Sequence, residues 1–350
     1  MKVFKYILIL LVVFLISGYF LVQNHSVQNK LFENTVRALF QTNEIFMNDA
    51  LSVAVCGSRA PLPSPNRAET CLLVQAGTSK FIIDTGRGSA DNLQRWRVDY
   101  SDLEAVILSH LHSDHISDLH EVQFQSWLGG RKTPLSVIGP IGTASTAQGF
   151  EQAFKLDSIY RSEHHGAILP IEAYGYDVVE FEGDAKLIFE NEDTKITAFK
   201  VDHSPVDPSY AFKIEYKDRS IVISGDTVSL EVMTEYSKGV DVLFHDALAK
   251  PLIQEMEKIS EEIGNNIVSK VLFDIQDYHA NTVEVADIAR KAEVDLLVFY
   301  HLIPAPRNYI SEQMFLRGVD EIFTNYHVSE DGTLVSLPAG SEEILIDLID

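Results

Sequence analysis

The stretch "LSHLHSDHIS" (residues 108–117) contains three histidines and one aspartate within six positions: His110, His112, Asp114 and His115. It follows directly on the apolar run "EAVIL" (104–108), whose composition is typical of a buried strand. Imidazole nitrogen and carboxylate oxygen are ligands that zinc accepts. The stretch therefore predicts a metal site where a strand ends.

Three more candidate ligands occupy the same kind of position. His203 ends the strand "ITAFKVD", Asp226 ends "SIVISG", and His301 ends "VDLLVFY". Polar residues at strand ends gather on one rim of a sheet, where a rigid scaffold can position catalytic groups. A lone histidine at a strand end is more often structural, but seven ligand-type residues in this placement favour one shared site.

Strand-like segments dominate two parts of the chain, beginning at about residues 50 and 186, and helical segments follow each part. Helices are predicted over 116–128, 143–155 and 251–274. Asn281 with Glu284 three residues later predicts a capping box at the start of another helix. The order predicts an α/β domain in which two sheets pack face to face with helices outside.

Six ordered motifs carry a resemblance to a known family. "HLHSDH" (110–115) resembles the H-x-H-x-D-H signature of the metallo-β-lactamase superfamily, and "FIIDTGRG" (81–88) resembles its first motif. Residues 201–227 resemble the segment that bears the third histidine and the bridging aspartate. Three motifs resemble the ribonuclease Z branch of that superfamily: "LFHDA" (243–247), with Asp246 where that branch often has Glu, "YHANTVEVADIA" (278–289) and "LVFYHLIP" (297–304). Six motifs in order make the resemblance specific, although any one alone would be weak.

The resemblance implies the αββα sandwich of that superfamily, with two mixed β-sheets, and two zinc ions per chain. One zinc would be held by four residues: His110, His112, His203 and Asp226. The other would be held by Asp114, His115, Asp226 and His301, so that Asp226 bridges the two ions. Asp84, His245 and Asp246 would support these ligands from behind.

The implied chemistry is hydrolysis. Zinc lowers the pKa of bound water to about 7, and two metals about 3.5–4 Å apart can share a hydroxide. Asp114 would help orient that nucleophile, and His279 would protonate the leaving group as a general acid. Substrate contacts are predicted at Arg161, His165 and Tyr210, although a solvated turn or simple packing is the alternative for these side chains.

The net charge and the length of one segment decide the predicted substrate. The net charge is -23, with 28 basic against 51 acidic residues, whereas nucleic-acid binding requires clustered Lys and Arg. Only 22 residues separate His203 from Asp226, which is too few for the protruding tRNA-binding arm that the resemblance to ribonuclease Z implies at this place. These features predict a small anionic ester as substrate and no nucleic acid partner.

The main prediction is thus a dinuclear zinc hydrolase, arylsulfatase- or phosphodiesterase-like, since "SWLGGRKTPLSVIGPIG" (126–142) and neighbouring segments resemble an exported arylsulfatase-type subgroup. The alternatives are a ribonuclease Z-type endonuclease that processes tRNA 3' ends and a non-catalytic metal-binding module on the same scaffold. The resemblance also implies a homodimer.

The N-terminus predicts a membrane segment. Residues 1–23 contain Lys2 and Lys5 followed by an uncharged apolar run long enough to span a bilayer, which takes about 20 residues. A cleaved signal peptide is the alternative, but its apolar region is usually shorter. By the positive-inside rule the remainder lies outside the cytoplasm, or in the periplasm of a bacterium. Residues 24–48 are predicted to be a stalk and 49–350 the hydrolase domain.

Cys56 and Cys71 are the two cysteines of the chain, and each lies in an apolar run that reads as a strand. An oxidising compartment would permit a disulfide between neighbouring strands. Two small buried residues are the alternative, and the spacing does not decide between them.

Overall fold

A computed structural model describes residues 2–349, and it describes side chains from residue 4 onward. Met1 and Asp350, the outer ends of the predicted anchor and of the predicted hydrolase domain, lie outside the described residues, as does the side chain of Lys2. The chain divides into two compact units, Met1–Asn43 and Glu44–Asp350.

The first unit consists of two helices, α1 (Lys2–Gln23) and α2 (His25–Leu39). The side chain of Asn24 accepts hydrogen bonds from the backbone N–H groups of Ser26 and Val27 and so caps α2. The segment Phe4–Gln23 is long and apolar enough to cross a membrane, by length and composition only. A signal sequence would pass the same test.

Eight strands form the first sheet of the second unit: β1 (Ala50–Gly57), β2 (Cys71–Ala76), β3 (Ser79–Ile83), β4 (Leu103–Ile107), β5 (Leu135–Pro140), β6 (Tyr176–Phe181), β14 (Thr333–Pro338) and β15 (Leu345–Leu348). They lie in the order β15-β14-β1-β2-β3-β4-β5-β6. The pairs from β3 to β6 are parallel and the others antiparallel, so the sheet is mixed.

Seven strands form the second sheet: β7 (Ala185–Glu190), β8 (Thr194–His203), β9 (Val206–Tyr216), β10 (Arg219–Ile223), β11 (Val242–Leu248), β12 (Leu296–Ile303) and β13 (Tyr326–Val328). Their order is β13-β12-β11-β10-β9-β8-β7. The pairs from β7 to β10 are antiparallel and those from β10 to β13 are parallel. Residues 204–225 thus hold two strands and their connections, as their number predicts.

The remaining α-helices of the second unit are α3 (Ser89–Arg95), α4 (Ser113–Ile116), α5 (Leu119–Leu128), α6 (Thr143–His165), α7 (Glu231–Tyr236), α8 (Lys250–Glu262), α9 (Asn266–Asp274), α10 (Thr282–Ala292) and α11 (Tyr309–Phe315). Short 3₁₀ turns cover Gly166–Ile168, Ile171–Ala173 and Ile275–Asp277.

The core lies between the two sheets. Phe81 and Ile107 of the first sheet and Phe212, Phe244 and Val298 of the second belong to one buried apolar cluster. Burial of apolar area at about 25 cal/mol per Å² makes this layer the main source of stability. Two further clusters join each sheet to the helices on its outer face. The predicted fold, an αββα sandwich of two mixed sheets, is confirmed.

Several sequence-based boundaries need correction. Helix α6 runs to His165, ten residues beyond the end predicted at residue 155. The single helix predicted over 251–274 is a hairpin of α8 and α9, because the chain turns at Gly264 with a φ of +77°, a backbone conformation that glycine adopts at little cost. His301 does not end its strand: β12 continues to Ile303, and the register slips by one residue opposite Asp246 and Ala247. This bulge leaves His301 unpaired with a φ of +44°.

Cys56 and Cys71 form a disulfide between neighbouring strands β1 and β2, with Cα atoms 4.9 Å apart. The antiparallel pairing that places Gly57 opposite Cys71 brings the two sulfur atoms together. The structure therefore decides for a disulfide, a choice that the spacing of the two cysteines left open.

Candidate metal centre

The seven candidate ligands come from five chain segments that meet at one rim of the sandwich. His110 and His112 follow β4, and Asp114 and His115 lie in α4. His203 is the last residue of β8, Asp226 lies three residues beyond β10, and His301 is the bulged residue of β12. The rim is where these strands end, as expected for polar residues after strands.

Four residues form the first half of the centre: His110, His112, His203 and Asp226. Their ligand atoms all lie within 4.8 Å of one another. Asp226 Oδ2 is 3.8 Å from the Nε2 atoms of both His110 and His203. His203 Nε2 is 3.3 Å from His112 Nδ1.

Asp114, His115 and His301 form the second half with the same carboxylate. Asp226 Oδ2 is 3.2 Å from His301 Nε2 and 3.3 Å from His115 Nε2. Asp114 Oδ2 is 3.3 Å from His301 Nε2. One buried carboxylate therefore faces both groups, which is the placement that a bridging ligand requires.

Buried polar atoms without hydrogen-bond partners show that the residues fit a metal. Buried polar groups are almost always hydrogen-bonded. Yet His110 Nε2, His115 Nε2 and Asp226 Oδ1 are buried without such a partner, and these are the atoms that a cation would contact. Nitrogen and oxygen donors of this kind suit zinc, and also suit iron or manganese.

The electrostatics of the ligands favour cation binding. Burial, together with neighbouring His115, holds the pKa of His110 well below its ordinary value, so its ring stays neutral and able to bind metal. Burial opposes the charge on Asp114, but His115 and His301 outweigh burial and lower its pKa to about 2. Burial opposes the charge on His115 and His301, but Asp226 and the other nearby carboxylates outweigh burial and raise the pKa of both rings. The site thus presents ionised carboxylates and a neutral His110, and a bound metal would displace the protons of His115 and His301.

A second layer of hydrogen bonds orients the histidines. Asp84 Oδ2 lies 2.7 Å from His115 Nδ1, and both its oxygens accept hydrogen bonds from Ser109. Ser109 Oγ is in turn 3.0 Å from His110 Nδ1. His203 Nδ1 donates to the backbone oxygen of Tyr278 at 2.9 Å. Fixing Nδ1 leaves the Nε2 atoms of these rings pointing at the centre.

Replacing Asp84 with alanine should lower metal affinity by roughly 10- to 100-fold, because such outer partners hold the ring and raise its basicity. Competition against a chelator measures the affinity, and Asp193→Ala in an exposed turn is the control. Equal affinities in the two variants would contradict the role of Asp84.

Asp118 ties the histidine-rich loop to helix α3. Its Oδ2 accepts hydrogen bonds from the backbone N–H groups of Gly88 and Ala90 at 2.8 and 3.1 Å. Burial, which outweighs these hydrogen bonds, raises the pKa of Asp118 to about 6. The folded state therefore binds the proton of Asp118 more tightly than the unfolded chain does.

The contribution of Asp118 to stability should be complete below its unfolded pKa of about 3.9 and lost as the pH rises through about 6. Relative to Asp118→Asn, wild type should lose on the order of 1 kcal/mol between pH 4 and pH 7, a figure discounted for solvent exposure. Chemical denaturation across this range measures it, with Asp177→Asn, which removes an exposed carboxyl on β6, as control. Parallel pH profiles of wild type and Asp118→Asn would contradict this.

His279 and Asp246 lie beside the two ligand groups. His279 precedes α10, where Asn281 and Glu284 form the predicted capping box. Its ring is buried, not solvent-exposed, and stacks on His301 with centroids 5.4 Å apart. His279 Nδ1 donates to Asp246 Oδ2 at 2.8 Å, so Nε2 remains for a substrate atom.

Asp246 is a buried anion inside β11. Burial opposes its charge, but the hydrogen bonds from His245 and His279 outweigh burial and hold its pKa below the ordinary value. His245 Nδ1 lies 3.0 Å from Asp246 Oδ1. The Asp246 carboxylate accepts the Nδ1 hydrogen of His279 and thereby fixes the orientation of its ring.

The structure does not bring the three predicted substrate contacts to the centre. Tyr210 is buried in the core between the sheets, and its hydroxyl donates to the Gly183 oxygen at 3.0 Å. Arg161 pairs with Asp157 on α6, and His165 is exposed where that helix ends. Helix α6 packs against β5 and β6, which places these two side chains away from the ligand-bearing strands.

A cavity of about 210 Å³ opens on the centre. The apolar wall of this cavity, to which residues 60–62 and helix α9 contribute, was not predicted from the sequence. Ser109 was not predicted either, although its position next to His110 could have indicated it. The wall carries no local signal, because it is assembled from segments about 200 residues apart.

Comparisons with known proteins match the chain to one family profile and to curated relatives. The family profile described as "Anti-Pycsar protein Apyc1" matches residues 57–286. A ribonuclease Z of Mycobacterium bovis BCG is 34% identical over 261 residues, which cover 73% of this chain and 87% of that protein.

Solved structures are similar in fold. The metallo-β-lactamase fold protein YhfI from Bacillus subtilis aligns with a TM-score of 0.61 and 20% identity, over 82% of this chain and 100% of that one. The short form of human tRNase Z aligns with a TM-score of 0.59 and 19% identity, over 82% of this chain and 99% of that one.

Proposed function

Because the chain belongs to the ribonuclease Z family, as well as to the Anti-Pycsar protein Apyc1 family, we propose that it is a metal-dependent hydrolase that cleaves phosphodiester bonds of RNA. The observation that carries the proposal is the convergence of six ligand-type side chains on a seventh, Asp226, beside the His279–Asp246 pair. Relatives named ribonuclease Z supply the substrate class.

The prediction of a small anionic ester as substrate, and of no nucleic acid partner, was wrong. Relatives 34% identical over most of the chain are named ribonuclease Z, and these relatives do not support a sulfuric ester or the arylsulfatase-type subgroup. The net charge of the whole chain misled the prediction, because bound cations are often the largest local charges at such a site. The short segment between His203 and Asp226 leaves no room for an arm, but the residues of the candidate metal centre are still present.

Two zinc ions per chain are proposed as the cofactor. When bound, they would supply Lewis-acid stabilisation of phosphoryl oxygens and water of lowered pKa. Asp226 would bridge both ions, and the two ligand groups would hold one each. Asp114 and the deprotonated histidines would complete the donor set. Asp84 orients the ring of His115, and Asp246, which His245 contacts, orients the ring of His279.

His279 is proposed as the general acid. Cleavage of a phosphodiester expels a ribose hydroxyl, which leaves readily only when it receives a proton. Nε2 of His279 is available for this transfer while Nδ1 stays bonded to Asp246.

The test uses full-length protein in detergent, loaded with zinc, on precursor tRNA and on an unstructured RNA of equal length. We expect endonucleolytic cleavage of RNA and about two zinc ions per chain by elemental analysis. Metal without cleavage of any RNA would overturn the proposal and support the non-catalytic alternative. His112→Ala, which removes a ligand, is the inactive control.

An anchored location outside the cytoplasm is proposed as well. Three features support it: the apolar helix within residues 4–23, Lys2 and Lys5 at the N-terminal end of the chain, and the disulfide, which persists in oxidising compartments. The proposed organisation is an anchor over 1–23, a stalk over 24–48 and the hydrolase over 49–350. Protease added to intact bacterial spheroplasts should remove the hydrolase domain, and full protection would contradict the proposal.

A further inference from the structure

The cavity at the metal centre has two chemically different sides. One side consists of ligand and acid residues: His112, Asp114, Asp226, His279 and His301. These residues can act only on a charged or polar part of a substrate. The opposite side is formed by apolar residues and one tyrosine.

Three separate segments build the apolar side. Residues 60–62 of the loop between β1 and β2 supply Ala60, Pro61 and Leu62. Helix α9 and the turn after it contribute Val271 and Ile275, and β12 contributes Ile303. Ala60, Ile275 and Ile303 belong to one buried apolar cluster against which Leu62 packs, whereas Val271 remains 50% exposed. The apolar side is therefore a fixed surface with one accessible edge. Apolar walls that face a few convergent polar groups are typical of small-ligand sites.

Tyr278 stands where the two sides meet. It immediately precedes His279, and its ring centroid lies 4.9 Å from that of His279 and 5.1 Å from that of His203. Its backbone oxygen accepts the hydrogen bond from His203 Nδ1, which anchors the residue at the centre. The residue is only partly buried, and it lines the cavity.

We propose that this apolar side is a nucleobase subsite, in which Tyr278 stacks on a base adjoining the cleaved phosphodiester. The inference rests on the proposed function, since it assigns the occupant of the same cavity. A phosphodiester of RNA has a nucleoside on each side, so a phosphate at the ligand residues brings an adjoining base within reach of this wall. Stacking on an aromatic ring contributes about 1–3 kcal/mol per base.

The wall also indicates how selective the subsite is. Among the described residues that form it, Tyr278 alone has a polar side chain, and none is charged. Reading the edge of a base requires placed donors and acceptors, whereas every base has a face for stacking. The subsite should therefore accept all four bases.

The test compares natural RNA with the same RNA carrying an abasic nucleotide on either side of the mapped cleavage position. The full-length, zinc-loaded chain is used as wild type, Tyr278→Ala and Tyr278→Phe, with exposed Tyr160→Ala as the control. On natural RNA, Tyr278→Ala should lower kcat/KM between about 5-fold and about 100-fold, and Tyr278→Phe should stay near wild type. On one of the two abasic RNAs, wild type should show the same loss, and Tyr278→Ala should lose nothing further.

An equal loss for Tyr278→Ala on natural and on both abasic RNAs would overturn the subsite, because the tyrosine would then only support the protein. A binding measurement tests the subsite independently of cleavage. If wild type cleaves no RNA, that result refutes only the proposed function. Wild type should bind adenosine 5'-monophosphate at least about 5-fold more tightly than ribose 5-phosphate. Tyr278→Ala should remove that difference, and equal affinities in wild type would overturn the inference.

Discussion

Replacing Asp226 with asparagine is expected to abolish cleavage and to empty both halves of the metal centre. Asp226 Oδ2 lies 3.2–3.8 Å from four imidazole nitrogens, which belong to His110, His115, His203 and His301. Asparagine keeps the shape but loses the charge and one acceptor oxygen. We expect kcat/KM on RNA to fall at least about 10³-fold, the upper scale for loss of one electrostatic stabiliser.

Elemental analysis should show fewer than one zinc ion per chain in Asp226→Asn, against about two in wild type. The matched control is Asp287→Asn, which removes a surface carboxylate that pairs with Arg290 and Lys291 on α10. That variant should keep full metal content and activity. Two ions in Asp226→Asn would show that Asp226 does not bridge them.

Replacing His279 with alanine should lower kcat on RNA by roughly 10²- to 10⁴-fold, the usual contribution of a positioned general acid. Metal content should stay at the wild-type value, because His279 bonds to Asp246 and not to the ligands of either group. Rapid-quench turnover of RNA together with elemental analysis measures both quantities. His120→Ala, a half-buried histidine that stacks on Phe154, is the control.

The leaving group separates acid catalysis from a structural role for His279. A nitrophenyl phosphodiester of thymidine expels a phenolate that needs no proton, so His279→Ala should slow its hydrolysis less than about 10-fold. RNA expels a poor leaving group and should suffer the full loss. Equal losses on both substrates would rule out His279 as the acid.

Much of the fold was predictable because its signals are local. The strand that ends at His203 spans Thr194–His203, as its apolar pattern predicts. The capping box at Asn281 forms as its spacing predicts, since a cap depends on residues three positions apart. The break between α8 and α9 was missed, because a glycine inside an amphipathic pattern does not reveal whether the chain turns there.

The predicted substrate failed for a different reason. The net charge is a total over the whole chain, and the missing arm is not part of the metal centre. Cleavage depends instead on the local residues around Asp226. Tyr210 shows the same limit for a single residue: it lies in the core because β9 packs against β8 and the first sheet. Its position in the sequence could not distinguish that core from a pocket.

The sequence by itself determined the sandwich fold and the identity of the ligand-type residues, because strand periodicity and the motif "HLHSDH" are written in consecutive positions. Only the tertiary structure decided that Asp226 faces both ligand groups, that His279 pairs with buried Asp246, and that Tyr278 borders an apolar wall. These relations join residues that are distant along the chain. Their distances depend on sheet order, on the bulge at His301 and on the turn at Gly264, which nonlocal packing selects.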